Sequence, residues 1–333
     1  MKQNNYILNF VKVTFFWLLF MASSPIMAEI KVVTTIKPLH SLIANVMDGV
    51  GEPSLIIDGS TSPHSFTLKP SHAKLLEEAN LIFWVGEGIE TFMERPLDSI
   101  VKNAEVVELM KVKNIKKLKF REESIFGDHD DHDDHAEEGH DDHAEEGHDD
   151  HAEEGHDDHA EEGHNHGEFD AHIWLDPINA KEMVHEIAHK LGDLDPANKD
   201  KYEANAEVTI LALDKLIDDI SNDINKDAKF VVFHDAYQYF EERFGLRAAG
   251  ALTLNTDVLP GAKQIKEIQD VIKDKGINCI FSEPQFNPRI ISTIAKDTNI
   301  KTGIFDPLGA NINADKSLYF KLITNLKNEL KGC

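Results

Sequence analysis

Eight short apolar runs, four on each side of a helical stretch, constrain the fold of this chain more than any other feature. Ile30–Thr35, Leu55–Ile57, Leu81–Val85 and Val106–Leu109 come first, and Phe230–Phe233, Ala248–Leu252, Ile277–Phe281 and Gly303–Phe305 come last. Such runs read as strands, and the longer patterns between them read as helices. The alternation predicts an α/β fold with mostly parallel sheets in two similar lobes. Between them, Pro196 to about Asn225 places Leu213, Ile217, Ile220 and Ile224 at alternating four- and three-residue steps, with no glycine or internal proline. One long helix is expected there, reaching about 45 Å if all thirty residues join it. The expected division is a leader over 1–28, an N-terminal lobe over 29–177, a helical region over 178–226 and a C-terminal lobe over 227–333.

One segment cannot belong to such a core. From His135, His143 and His151 the chain repeats His-Ala-Glu-Glu-Gly-His-Asp-Asp, and a varied copy runs from His159 to His166. Residues 128–166 hold 11 of the 18 histidines, 19 of the 60 acidic residues and no lysine or arginine. The histidines are His129, His132, His135, His140, His143, His148, His151, His156, His159, His164 and His166. With almost nothing apolar to bury, the segment is expected to form a disordered loop over 121–168. Two imidazoles per octad, each flanked by carboxylates, suit divalent transition metals better than they suit a plain acidic spacer. Residues 128–166 account for all but −7 of the net charge of −26. The remainder is ordinary for a globular protein and argues against nucleic acid as a partner.

The first residues read as a secretory signal. Lys2 and Lys12 supply positive charge, Val13–Ala22 is too short to span a bilayer, and small residues lead to Ala28 as the cleavage point. An uncleaved anchor is the alternative. No cysteine follows Ala28 closely enough to take a lipid, so a soluble exported protein is expected. The two cysteines, Cys279 and Cys333, lie in the exported part. In an oxidising compartment such a pair is expected to be bonded. Closing that loop of ~55 residues would add about 4 kcal/mol of stability on the chain-entropy model.

Four residues stand where a strand has ended or in turns rich in proline and small residues. They are His64 in Ser62-Pro63-His64-Ser65-Phe66, His172 in Asp170-Ala171-His172-Ile173-Trp174, His234 after Phe230–Phe233, and Asp306 after Gly303–Phe305. Ligands of open α/β sheets sit beyond the carboxyl ends of strands, so these four are placed to converge. Three imidazoles with one carboxylate or water make a tetrahedral site suited to Zn²⁺. Spacing alone leaves each histidine equally readable as a hydrogen-bonded turn residue.

These segments, with Val33-Thr34-Thr35-Ile36-Lys37-Pro38-Leu39 and Ser282-Glu283-Pro284-Gln285-Phe286, resemble those of the ZnuA-type periplasmic zinc-binding proteins that feed an ABC importer. The resemblance extends over nearly all of Glu29–Cys333, the acidic histidine-rich insertion and late cysteine pair included. It implies two α/β lobes joined by one long rigid helix, zinc as cargo in the cleft between them, a disulfide, a membrane permease as partner, and a periplasmic monomer that is not an enzyme. By position, His64, His172 and His234 match the family's zinc-binding histidines, and Asp306 matches the aspartate that completes the site in many relatives. Some zinc-binding members carry an acid just before the first histidine, where this chain has Pro63. The fourth donor is therefore Asp306 or water. Manganese-carrying relatives tend to place a glutamate where this chain has His234, and three imidazoles favour zinc over the harder manganese ion.

A second constellation competes. His185-Glu186-Ile187-Ala188-His189 matches the zinc-protease pattern H-E-x-x-H, with Gly192 and Asp195 following at metzincin-like spacing. On a helix, Val184, Ile187, Ala188, Leu191 and Leu194 would form the packed stripe, leaving His185 and His189 toward solvent. His40 and His72 read as helix or turn residues, and Glu283 reads equally as an orienting partner for a ligand or as a strand-end hydrogen-bonding group. The expected function is capture and delivery of Zn²⁺; a zinc hydrolase on His185, Glu186 and His189, or a zinc buffer built on the octads, are the rivals.

Overall fold

The computed structural model describes residues 30–126, 168–254, 256, 260–298 and 300–333. The leader and the octad histidines lie outside the described residues. In the first lobe, β1 (Val32–Thr34), α1 (Lys37–Val46), β2 (Ser54–Leu55), α2 (Pro70–Glu78), β3 (Leu81–Trp84), α3 (Glu94–Ser99) and β4 (Glu105–Glu108) alternate. Two helices follow, α4 (Pro177–Leu194) and α5 (Lys199–Ser221). The second lobe runs β5 (Phe230–His234), α6 (Gln238–Phe244), β6 (Ala251–Thr253), α7 (Ala262–Asp274), β7 (Cys279–Ser282), α8 (Arg289–Thr298), β8 (Lys301–Ile304) and α9 (Leu318–Leu330).

The sheets repeat one design. Their strand orders are β2-β1-β3-β4 and β6-β5-β7-β8, and every pairing is parallel. β1, β3 and β5 are buried along their whole length, as expected of parallel strands covered by helices on both faces. In the edge strands β4 and β8, Val106 and Ile304 are exposed. In each sheet the order reverses beside the lobe's first strand, between β1 and β3 and between β5 and β7. These are the switch points at which open sheets leave a crevice beyond their carboxyl ends. His234 is the last residue of β5, and Glu283 directly follows β7.

Proline sets the helix starts nearby. Pro177 opens α4, where a missing N–H costs nothing, and the Asp176 carboxylate accepts from Ile178 N–H at 2.8 Å. The long helix is shorter than its apolar pattern predicts. α5 has 23 residues, about 35 Å, because Pro196–Asn198 forms a separate 3-10 turn and the chain leaves the helix after Ser221. Leu213, Leu216 and Ile220 are buried within it, Ile217 is half-buried, and Ile224 is buried beyond its end. α5 packs along α4, and α9 returns to cover α1 and α5. A disulfide joins Cys279 on β7 to Cys333, with Cα atoms 5.6 Å apart, and so ties the end of α9 to the second sheet. Residues 121–126, expected to belong to the loop, instead pair with the second sheet: Ile125 bridges Gly250.

Candidate metal centre

Three segments carry a histidine to one point. His64 lies in the 3-10 turn Pro63–Ser65 beyond β2, where Pro63 fixes the first position and the Ser62 hydroxyl accepts from His64 N–H at 3.3 Å. His172 opens the 3-10 turn Ile173–Leu175, and Asp170 Oδ1 accepts from both its N–H at 2.9 Å and its ring Nδ1 at 2.6 Å. His234 closes β5, where Glu283 Oε1 accepts from its N–H at 3.2 Å and its Nδ1 at 2.7 Å. The ring centroids lie 5.2 to 5.9 Å apart, and one ligand atom from each ring falls within 4.8 Å of the others. Among the described residues this is the one such group of three or more.

The carboxylates decide which nitrogens face inward. With Nδ1–H of His172 donated to Asp170 and Nδ1–H of His234 donated to Glu283, each ring keeps its Nε2 lone pair free in the neutral form. Those two Nε2 atoms are 3.3 Å apart. Two acceptors facing each other at that distance repel unless a cation lies between them. Zn–N bonds of about 2.0–2.1 Å in a tetrahedron place two nitrogens roughly 3.3 Å apart. The space bounded by the three imidazoles, Trp174, Phe286 and Pro307 is about 10 Å³, room for one ion or water and no peptide.

Charge around the pair is negative. Burial opposes protonation of His234, but Glu283, with Asp235 and Asp170 behind it, outweighs burial and holds its pKa above the ordinary histidine value. Burial pushes Asp235 up to about 7 against the pull of Arg121, whose guanidinium bonds it at 2.8 Å.

Asp306 does not join the three histidines. Its Oδ1 accepts from Leu308 N–H, Gly309 N–H and Gln285 Nε2, and its Oδ2 from Ala310 N–H at 2.6 Å. Both oxygens hold the turn whose Pro307 and Leu308 wall the cavity, so the carboxylate is committed to backbone donors. The protease pattern is also set apart. His185 and His189 are exposed on α4, His189 Nδ1 lies 3.6 Å from Asp193, and Glu186 faces Lys190. Val184, Ile187, Ala188 and Leu191 are buried opposite, but Leu194, expected in that stripe, is exposed. His40 sits in α1 with Nε2 at 3.1 Å from Pro53 O, and His72 Nδ1 accepts from Lys69 N–H at the start of α2. Asp170, two residues before His172, is a support that the sequence reading passed over; the Asp-x-His spacing was its only local signal.

Two parallel-sheet lobes with a buried three-histidine cavity at their strand ends define the class of two-lobed binding proteins. Comparison with known proteins narrows that class. The family model of ZnuA, the periplasmic component A of zinc-uptake complexes, matches residues 32–333. The high-affinity zinc uptake system protein ZnuA of Brucella abortus (strain 2308) is 49% identical over 304 residues, covering 91% of each chain. The protein of the same name from Yersinia pestis is 36% identical over 310 residues, covering 92% of each. A crystal structure of ZnuA superposes with a TM-score of 0.68 at 21% identity, covering 90% of this chain and 98% of the other, a likeness of fold. This chain belongs to the ZnuA family of periplasmic zinc-uptake components, which are binding proteins with Zn²⁺ as cargo and not enzymes. Among the described residues, no helix is long and apolar enough to cross a membrane.

Proposed function

We infer that the chain captures one Zn²⁺ between His64, His172 and His234 and hands it to the membrane permease of an ABC importer. The observation that carries this reading is the His172–His234 pair: Nε2 atoms 3.3 Å apart, each ring tied through Nδ1 to a carboxylate. Family membership supports zinc as the cargo. The fourth donor in this reading is water, because Asp306 is engaged by its own turn. The leader over 1–28 is removed on export, the lobes divide at 29–177 and 227–333 around the helical region 178–226, and the working unit is a monomer. The octad histidines act as a weaker collector that raises the local zinc concentration, or as a sensor of its abundance. A preorganised cleft spends less entropy on chelation than a segment that must order itself around the ion, so the cleft is the tight site.

Zinc titration against a competing chelator tests this reading. Deleting residues 128–166 is expected to remove several weak sites and leave one tight one. In that background His64→Ala, His172→Ala and His234→Ala should each weaken tight binding by at least about 100-fold, as loss of one of three nitrogen donors implies. The pair His185→Ala with His189→Ala should leave it unchanged. Tight binding that survives the three cleft substitutions but not the helix pair would place the site on α4 instead.

A further inference from the structure

The segments that carry His172 and His234 come from distant parts of the chain and are joined by a strap that holds Arg121. After β4 the chain leaves the first lobe and crosses α6 as a strap. Leu118 N–H donates to the Tyr239 hydroxyl at 3.0 Å, and Lys119 bridges Phe169 on the returning side. Further on, Phe126 N–H donates to Ala249 O at 3.1 Å and Ala251 N–H to Ser124 O at 2.8 Å. Gly250 makes that approach feasible, since a Cβ there would sit 2.7 Å from Ser124 O. Midway along the strap Arg121 turns inward. Its Nη1 donates to Asp235 Oδ1 at 2.8 Å, its Nη2 to Glu241 Oε2 at 2.7 Å, and its guanidinium lies 4.1 Å from the centre of the Phe126 ring. The two carboxylates are only 3% and 2% exposed, and Asp235 directly follows His234. The returning side carries Asp170, whose Oδ2 accepts from Gln238 Nε2 at 2.9 Å while its Oδ1 holds His172. Gln238 Nε2 also donates to Lys119 O, so strap, α6 and the Asp170–His172 arm form one connected unit.

We propose that Arg121 is a positioning residue of the metal centre: by locking the strap to the β5–α6 corner it fixes the spacing between His172 and His234. This rests on the reading of the three histidines as zinc donors. The guanidinium suits the task because its rigid fork reaches two carboxylates at once, which the point charge of a lysine does not. Removing it frees the strap from the corner and leaves two buried acids without their cation. The pair then loses its common base, although no donor nitrogen has been touched.

The test uses the mature full chain with substoichiometric metal, so that the tight site fills first. Zinc affinity is read by chelator competition, and coordination geometry from the visible absorption of Co²⁺. Arg121→Met is expected to weaken zinc binding 10- to 100-fold, the range for loss of an outer support of a metal ligand, and to alter the Co²⁺ bands. Arg121→Lys should recover part of both. The triple variant Arg121→Met/Asp235→Asn/Glu241→Gln removes the unpaired acids, so it should fold even where the single variant does not, and it should retain the altered bands. Unchanged affinity and unchanged Co²⁺ bands in the triple variant would overturn the proposal. His234→Ala is the reference: loss of tight binding there, with the triple variant unaffected, refutes the role of Arg121 alone. Tight binding that survives His234→Ala refutes the zinc site itself.

Discussion

At the scale of single residues, the centre depends on protonation as much as on position. Zinc takes neutral imidazole, so protons compete for the same lone pairs. Burial opposes charging His234, but Glu283 and the acids behind it raise its pKa above the ordinary value, so competition begins at a higher pH than for a free histidine. Zinc affinity is therefore expected to fall as pH drops from about 7.5 to 5.5; competition titrations at the two values giving equal constants would contradict this. Asp306 makes a different prediction. Its carboxylate holds three backbone N–H groups, and Asp306→Ala should cost about 1–3 kcal/mol of stability, with a smaller loss of zinc affinity than any of the three histidine substitutions. A drop in affinity equal to that of His234→Ala, without loss of stability, would return Asp306 to the ligand set. The sequence brought Asp306 forward because it closes a strand beside the cleft. In the structure its oxygens accept from the turn that follows it, since an acid before a tight turn finds its nearest donors in its own backbone.

At the scale of elements, the strands were the most legible part of the chain. Parallel strands buried on both faces leave uninterrupted apolar runs: β1 and β3 fall within the runs that the sequence shows, and β5 and β7 each extend one residue past theirs. Helix ends were less so: the apolar spacing runs on to Ile224, which is buried beyond the end of α5, and Pro196–Asn198 forms a turn with no buried residue. The segment after β3 holds a group that no pattern announces. Glu90 is fully buried, and burial pushes its pKa up to about 7 against the hydrogen bonds from the Val85 and Gly86 amides. In the unfolded chain a glutamate ionises near pH 4.5, so the folded protein prefers the protonated form. The stability that this adds is complete below about pH 4.5 and is lost as pH rises through 7, a change of about 3 kcal/mol. Glu90→Gln stays neutral throughout, so its stability relative to the parent should improve by that amount between pH 4.5 and 8. Denaturant unfolding curves whose difference is constant over that range would refute the assignment.

At the scale of the whole molecule, the disulfide ties the C-terminus beyond α9 to β7 of the second sheet. Reduction is expected to lower the melting temperature, by the equivalent of about 4 kcal/mol on the chain-entropy model, and to leave one tight zinc site, because neither sulfur belongs to the metal centre. Calorimetry of the reduced protein showing loss of tight binding would tie the bond to the site. The chain by itself determined the α/β class, the two sets of four strands and the pairing of its only two cysteines. Each of these follows from the burial pattern of neighbouring residues or from bare composition. Only the tertiary structure decided which histidines meet. His64, His172 and His234 are far apart in sequence and look like other turn and helix histidines, whereas His185 and His189 match a metal motif yet point away from the packed face of α4. A metal centre is a property of convergence: strand ends, an Asp170 and a Glu283 that orient the rings, and an Arg121 drawn in from the strap. Apart from the Asp170–His172 contact, no local spacing encodes that, because the other contacts join residues separated by dozens of positions in the chain.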